Sequence, residues 1–146
     1  MNIGKLIGKS YNTISMVIKE EDVVSFSKAT KQEDEIFFNK IAAQNEGFPN
    51  IVCPPTYLIS IGMKMNILSE CLEDLGIGLK KILHAGQEFN YSGLVFVQDK
   101  ISMETIFKNA YDKNEGKLRF FVYETKFYNQ DKVKVCVMNN TWLLRS

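Results

Sequence analysis

Length, composition and charge are those of an ordinary globular protein. The chain has 146 residues, of which 45% are hydrophobic and 24% charged, with a formal net charge of +1. A chain of this length can bury a core without disulfides or metals, so we expect one domain over residues 1–146. The balanced charge argues against the strongly basic surface that binds nucleic acid.

The sequence contains no recognisable targeting segment, and its cysteines show no pattern of disulfides or of a metal site. Residues 1–16 contain no sustained apolar run of the secretory type, and no run of 18 apolar residues predicts a membrane span. Cys53, Cys71 and Cys136 are odd in number and have no metal-ligand spacing. We interpret them as small buried side chains in a reducing compartment. The sequence therefore predicts a cytoplasmic protein without a metal or a cofactor, and with neither a membrane nor a nucleic-acid partner.

The first third of the chain predicts one strand and two helices. Thr13–Ile18 favours a strand, and Lys19–Thr30 has apolar residues at helical spacing with acidic residues in the first turn. A second, short helix is predicted over Lys40–Glu46. Asn39 is a suitable N-cap for it, and Gly47 is a suitable residue to follow its end.

A longer helix is predicted over Thr56–Leu75. Pro54 and Pro55 cannot lie inside a helix but are well suited to its start. Apolar residues occupy more than one side of this segment, and Met63 and Met65 belong to them as core or tunnel-lining residues. A helix of this kind must be covered nearly all round.

Four long β-strands are predicted in the second half of the chain. They are rich in β-branched and aromatic residues and are separated by turn residues such as those at 114–116. The predicted strands are Ile82–Tyr91, Asp99–Tyr111, Lys117–Asn129 and Lys132–Leu144. Long antiparallel strands around one buried helix make an α+β fold.

Several segments, in their order and spacing, resemble a known family. They are Val-Ser-Phe-Ser-Lys-Ala-Thr at residues 24–30, the approach from Ala42 to the two prolines, Leu-His-Ala-Gly-Gln-Glu-Phe at residues 83–89, and residues 96–101, where Gln98 replaces a usual glycine. Together they resemble the N-terminal domain of MaoC-like dehydratases, a FAS1-like domain that also occurs as a subunit of 3-hydroxyacyl-ACP dehydratases. The resemblance covers nearly the whole chain. It implies a hot-dog fold, in which a curved antiparallel sheet wraps one long central helix.

The catalytic motif of that family is altered in this chain. Active members carry Gly-Asp-x-Asn-Pro-x-His after the first helix, and the Asp and His exchange protons with the thioester substrate or hold a water. The resemblance places Lys31 at the glycine, Gln32 at the aspartate and Phe37 at the histidine, with Asp34 and Glu35 between them. Glutamine cannot act as a base, and phenylalanine has no proton to transfer. The usual catalytic pair is therefore missing.

Asp34, Glu35 and His84 remain as catalytic candidates. His84 is the only histidine of the chain, and histidine titrates near neutral pH. The alternative is a strand histidine that bonds to its neighbours or lies near a dimer interface, as in non-catalytic members of the family. Asp34 and Glu35 have the alternative roles of solvated loop charges or of a cap.

Pro55, Thr56 and Tyr57 are the predicted substrate-binding residues. They lie at the entrance of the long helix, where N–H groups without an intrahelical partner can bind a thioester carbonyl. The alternative is that the two prolines only start a buried helix.

The resemblance implies a role in acyl thioester and fatty acid metabolism, with acyl-CoA or acyl-ACP as the ligand. Our leading hypothesis is a non-catalytic or substrate-binding subunit of a 3-hydroxyacyl-ACP/CoA dehydratase. It would form a dimer edge to edge with a catalytic hot-dog subunit. One alternative is a self-sufficient homodimeric hydratase with atypical catalytic residues, and another is a non-enzymatic acyl-binding module. Whether the chain alone is an enzyme stays open at this point.

Overall fold

The computed structural model describes residues 3–64 and 67–145, which contain one five-stranded antiparallel sheet and four α-helices. The helices are α1 Glu20–Ala29, α2 Lys40–Asn45, α3 Leu58–Lys64 and α4 Ile67–Leu75. The strands are β1 Ile14–Val17, β2 Ile82–Tyr91, β3 Lys100–Lys113, β4 Leu118–Tyr128 and β5 Lys134–Arg145. This architecture confirms the α+β prediction.

The order of strands in the sheet is β1-β3-β4-β5-β2, and every neighbouring pair is antiparallel. The observed β2 has the bounds predicted from the sequence, and the bounds of β3, β4 and β5 differ from the predictions by no more than two residues at either end. Within the described residues β2 pairs only with β5, so β2 is an edge strand.

One face of the sheet forms the core together with the helices. Along β4, Phe121, Tyr123, Thr125 and Phe127 are buried, while the residues between them are only partly buried. This alternation follows from the period of two in a strand, which turns successive side chains to opposite faces. The buried face packs against α3 and α4 through apolar residues that include Ile61.

The predicted helix over Thr56–Leu75 corresponds to α3 and α4. The helical hydrogen bonding begins at Leu58 rather than Thr56, because residues 55–57 form a turn in which the Tyr57 N–H donates to the Pro54 carbonyl at 2.9 Å. Residues 65 and 66, and with them Met65, lie outside the described residues. None of the described helices is long and apolar enough to cross a membrane.

Helix α1 is followed by a residue in the left-handed backbone conformation, which sets the direction in which the next loop leaves the helix. The Lys31 N–H donates to the Lys28 carbonyl at 3.1 Å, and the Gln32 N–H donates to the Ser27 carbonyl at 2.9 Å. This pair of bonds is a Schellman motif, whose C′ residue usually is glycine. Lys31 occupies that position with φ of 55°, whereas Gly47 occupies it after α2 with φ of 88°.

Candidate functional site

Backbone hydrogen bonds hold the altered loop next to the start of α3. The Val52 N–H donates to the Ile36 carbonyl at 3.0 Å, and the Cys53 N–H donates to the Val95 carbonyl at 2.8 Å. Residues 51–53 therefore lie between the loop and the segment that precedes β3. This arrangement brings Phe37 and Pro55 to the same place, although they are far apart in the sequence.

An apolar cleft of about 320 Å³ opens where the loop meets the start of α3. Its lining includes Phe37, Phe48, Pro54, Pro55 and Leu94, and none of the described residues that line it is charged. Cys53 also lines the cleft, and burial raises the pKa of its thiol, so the thiol stays protonated at neutral pH. The cleft thus offers neither a carboxylate nor an imidazole.

Among the polar residues of the loop, Asp34 is the one whose side chain bonds to the loop backbone in the described part of the chain. Asp34 caps the short 3₁₀ turn by accepting a hydrogen bond from the Ile36 N–H at 3.1 Å, and Glu35 is exposed. The side-chain amide of Gln32 donates to the Thr30 hydroxyl at 3.5 Å. Neither Asp34 nor Glu35 lines the cleft.

The three predicted substrate-binding residues have different environments. Pro55 is exposed and lines the cleft, and Thr56 is exposed next to it. Tyr57 is only 1% exposed, and its ring packs edge-on against Phe26 with the centroids 5.4 Å apart. The side chain of Tyr57 therefore belongs to the core rather than to the entrance surface.

A second cavity, of about 290 Å³, lies between the helices and the sheet, and we call it the helix–sheet cavity. Side chains of α3 and α4 form its apolar side, among them Ile59, Met63, Leu68 and Cys71. The sheet forms its polar side with His84, Thr105, Tyr123, Thr125, Asn140 and Trp142. Pairing across the strands places Thr105 opposite Thr125, Tyr123 opposite Asn140, and His84 opposite Trp142, which is why these residues share one face.

Most polar groups on the sheet side of the cavity are paired with each other. The hydroxyl oxygens of Thr105 and Thr125 are 2.9 Å apart. The Nε2 atom of His84 is 3.1 Å from Oδ1 of Asn140, within hydrogen-bond distance. The ring of His84 also lies edge-on to the ring of Trp142 at 5.1 Å between centroids.

The structure does not bring the three catalytic candidates together. His84 is an exposed residue of β2 at the helix–sheet cavity, whereas Asp34 and Glu35 line neither that cavity nor the cleft. Among the residues that the structure describes, no group of three His, Cys, Asp or Glu side chains could hold a metal ion. The sequence interpretation missed Tyr123, whose only signal is its inward position in the alternation along β4.

Comparison with protein families gives a match over most of the chain. The family model described as "FAS1-like, dehydratase domain region" matches residues 5–138. A UPF0336 protein of Mycobacterium leprae is 27% identical over 101 residues, which are 68% of this chain and only 61% of that protein. A UPF0336 protein of Tropheryma whipplei is 26% identical over 130 residues, which are 88% of this chain and 90% of the relative. The chain thus spans less than two thirds of the M. leprae relative.

Comparison with solved structures shows the hot-dog fold. The HadBC complex of Mycobacterium tuberculosis, a (3R)-hydroxyacyl-ACP dehydratase, is similar with a TM-score of 0.82 and 19% identity, over 94% of this chain and 96% of that chain. A MaoC-like dehydratase has a TM-score of 0.86 and 15% identity, over 99% of this chain and 43% of that chain. The ChsH1-ChsH2 complex of M. tuberculosis has a TM-score of 0.67 and 12% identity, over 95% and 98%.

Proposed function

Because this chain belongs to the FAS1-like dehydratase domain family, and so to the MaoC-like hot-dog dehydratases, we propose that it is the substrate-binding, non-catalytic subunit of a 3-hydroxyacyl thioester dehydratase. The ligand would be an acyl-CoA or an acyl-ACP of fatty acid metabolism. A second hot-dog subunit would provide the catalytic Asp and His.

One observation carries the proposal, namely the apolar cleft beside the loop that the resemblance aligns with the catalytic motif of active members. Dehydration needs a side chain that can take up and release a proton within hydrogen-bond reach of the substrate. The resemblance aligns Phe37 with the histidine of that motif. The Cys53 thiol is held protonated, and no charged residue lines the cleft among those described. The described residues that line the cleft therefore offer no acid–base pair, as the proposed non-catalytic role requires.

The edge strand supports the proposed assembly. Strand β2 has ten residues, and along one side its backbone groups have no partner strand within the described residues. Such an edge is a template for pairing with another sheet. His84 lies on β2 and lines the helix–sheet cavity, so a subunit joined to this edge would lie beside that cavity. HadBC and ChsH1-ChsH2 are complexes of this fold, which is consistent with a hot-dog partner.

The two concave regions would divide the substrate between them. The apolar side of the helix–sheet cavity suits a hydrocarbon chain, because ligand sites are lined predominantly by apolar side chains with a few polar groups. Pro55 and Thr56, at the cleft, are then the candidates for contact with the thioester end. In this proposal Tyr57 acts through packing of the core.

The proposal is tested by isolating the native complex and measuring hydration of trans-2-dodecenoyl-CoA. We expect that the chain co-purifies with a hot-dog protein that has an intact Gly-Asp-x-Asn-Pro-x-His motif. The complex should turn over, whereas the purified chain alone should not, even at high concentration. A complex whose partner carries Asp→Asn in that motif is the matched control and should be inactive.

Two results would overturn the proposal in different directions. Turnover by the chain alone that is lost in Asp34→Asn, Glu35→Gln or His84→Gln would establish the self-sufficient enzyme. Binding of acyl-CoA without turnover, even after addition of the catalytic subunit, would instead indicate a non-enzymatic acyl-binding module.

A further inference from the structure

Neither the backbone nor the packing around Gly62, within helix α3, requires a glycine. Glycine is unfavourable inside a helix, because it loses more backbone freedom on folding than any other residue. Gly62 does not have the positive φ that favours glycine, so its conformation suits any residue. Among the described residues, the only atom within 4 Å of a Cβ added there is the terminal methyl carbon of Met138, at 4.0 Å. Close packing of the helix on the sheet therefore does not explain the glycine either.

The free space beside Gly62 belongs to the helix–sheet cavity. Gly62 lines this cavity together with Ile59 and Met63 of the same helix. A side chain at position 62 would take up part of the cavity volume of about 290 Å³. Glycine instead lets a molecule in the cavity approach the backbone of the helix closely.

Gly62 also lies next to the passage from the cleft to the cavity. Leu58 lines the apolar cleft and precedes Gly62 by four residues in α3. Residues four apart lie on the same face of a helix, about 6 Å apart along its axis. One face of α3 thus borders the cleft at Leu58 and the cavity at Gly62. A chain that extends from the cleft into the cavity would pass Gly62.

We propose that Gly62 determines the length of the acyl chain that this protein accepts, because it leaves room for the chain to pass from the cleft into the helix–sheet cavity. This inference rests on the proposed function, in which the thioester end contacts the cleft and the hydrocarbon end lies in the cavity. It makes the two concave regions parts of one path. The preferred ligands are then thioesters whose chain extends beyond Gly62.

The test compares a long and a short ligand on the full chain. The probes are dodecanoyl-CoA, whose chain would extend past Gly62, and butanoyl-CoA, whose chain would end before it. Calorimetry measures both affinities. The fluorescence of Trp142, the only tryptophan, reports entry of the chain, because this residue lines the cavity. The wild type should bind dodecanoyl-CoA at least about tenfold more tightly, since each additional buried methylene group contributes about fourfold.

Side chains added at position 62 should weaken the binding of the long ligand alone. Gly62→Leu should lower the affinity for dodecanoyl-CoA at least about tenfold, as expected when about two methylene groups lose their place in the cavity. Its affinity for butanoyl-CoA should stay within about twofold. Gly62→Ala adds a single methyl group and should lower the affinity for dodecanoyl-CoA about fourfold.

Gly78→Leu is the matched control for these variants. Gly78 is exposed, does not line the cavity, and has no described atom within 4 Å of an added Cβ. The variant adds the same side chain outside the proposed path, so it should change neither affinity.

Thermal unfolding provides a readout that needs no ligand. Gly62→Ala should raise Tm by about 2–3 °C, because alanine is the better residue in a helix. A lower Tm would show that the fold requires the glycine, and this would refute the inference. Circular dichroism verifies that Gly62→Leu folds, and if it does not, the alanine variant decides.

The outcomes separate this inference from the proposed function. If the variants at position 62 bind both esters as the wild type does, or lose the same affinity for both, the inference is wrong although acyl binding stands. If neither ester binds to the wild-type chain or to its native complex, the proposed function fails, and the inference fails with it.

Discussion

Replacing Lys31 by glycine should stabilise the protein, although it changes an exposed residue. Lys31 has φ of 55° and is the C′ residue of the Schellman motif that ends α1. The left-handed conformation places Cβ against the following carbonyl oxygen in every residue except glycine. The resemblance to the family also aligns Lys31 with the glycine of its catalytic motif.

The expected change in the free energy of unfolding is the difference between two opposing contributions. The left-handed conformation costs a non-glycine residue about 1–2 kcal/mol. Glycine has greater freedom in the unfolded chain, which costs about 0.5–1 kcal/mol on folding. Lys31→Gly should therefore raise the free energy of unfolding by about 0.5–1 kcal/mol. For a chain of 146 residues with an unfolding entropy of about 2.1 cal/mol/K per residue, this is about 2–3 °C in Tm.

Urea unfolding monitored by circular dichroism measures this change, and Lys28→Gly is the matched control. Lys28 lies within α1 and is also exposed, so glycine there should lower the free energy of unfolding by about 1 kcal/mol. Glycine should thus raise the free energy of unfolding at position 31 and lower it at position 28. If both variants lose stability by the same amount, residue 31 is not left-handed in solution and the reasoning is refuted.

Three further predictions concern other backbone and side-chain positions. Gly47→Ala should lower the free energy of unfolding in urea by about 1 kcal/mol, since φ is 88° and no atom lies near the new methyl group; no loss would contradict the C′ assignment. Tyr57→Phe should change that free energy by less than about 0.5 kcal/mol, because the buried hydroxyl has no hydrogen bond to a described residue, and a large loss would reveal a partner. Hydrogen bonds from Lys9 hold the pKa of Asp74 below its ordinary value, so the pair stabilises the fold above about pH 4. The advantage of the wild type over Asp74→Asn in urea unfolding should therefore vanish as the pH falls below that value, and an advantage independent of pH would refute this reading.

Local signals predicted the elements of the fold well. The bounds of β2 were correct because turn residues such as Gly78 and Gly93 lie on either side of it and Ile82, Phe89 and Tyr91 favour a strand. Asn39 was correct as an N-cap, since its side chain accepts from the N–H groups of Ile41 and Ala42 at 2.8 and 3.1 Å. The start of α3 was placed two residues early, because the bonds around Pro54 that delay it form a turn with no distinct sequence pattern.

The site was harder to predict because it depends on the register between distant strands. The polar side of the helix–sheet cavity joins residues of β2, β3, β4 and β5, and no spacing along one strand reveals that Thr105 meets Thr125. A bulge in β2 after His84 shifts the pairing with β5, which also cannot be read from a period of two. The sequence therefore singled out His84 as a candidate because it is the only histidine, but it did not indicate which residues surround it.

Two residues adopt a left-handed backbone conformation at positions where the family usually has glycine. Gln98 stands where the family usually has glycine, yet it keeps φ of 74°. Its N–H donates to the Ile18 carbonyl at 2.9 Å, and the side chain of Asp99 accepts from the Phe96 N–H at 2.9 Å, so bonds on both sides impose the turn. Lys31 is held in the same way by the end of α1. The backbone bonds at these two positions form without a glycine, and none of the described residues that line the cleft is charged. In the proposed role, in which a partner supplies the acid–base chemistry, this chain needs to present only the cleft, the cavity and the edge of β2 that has no partner strand within the described residues.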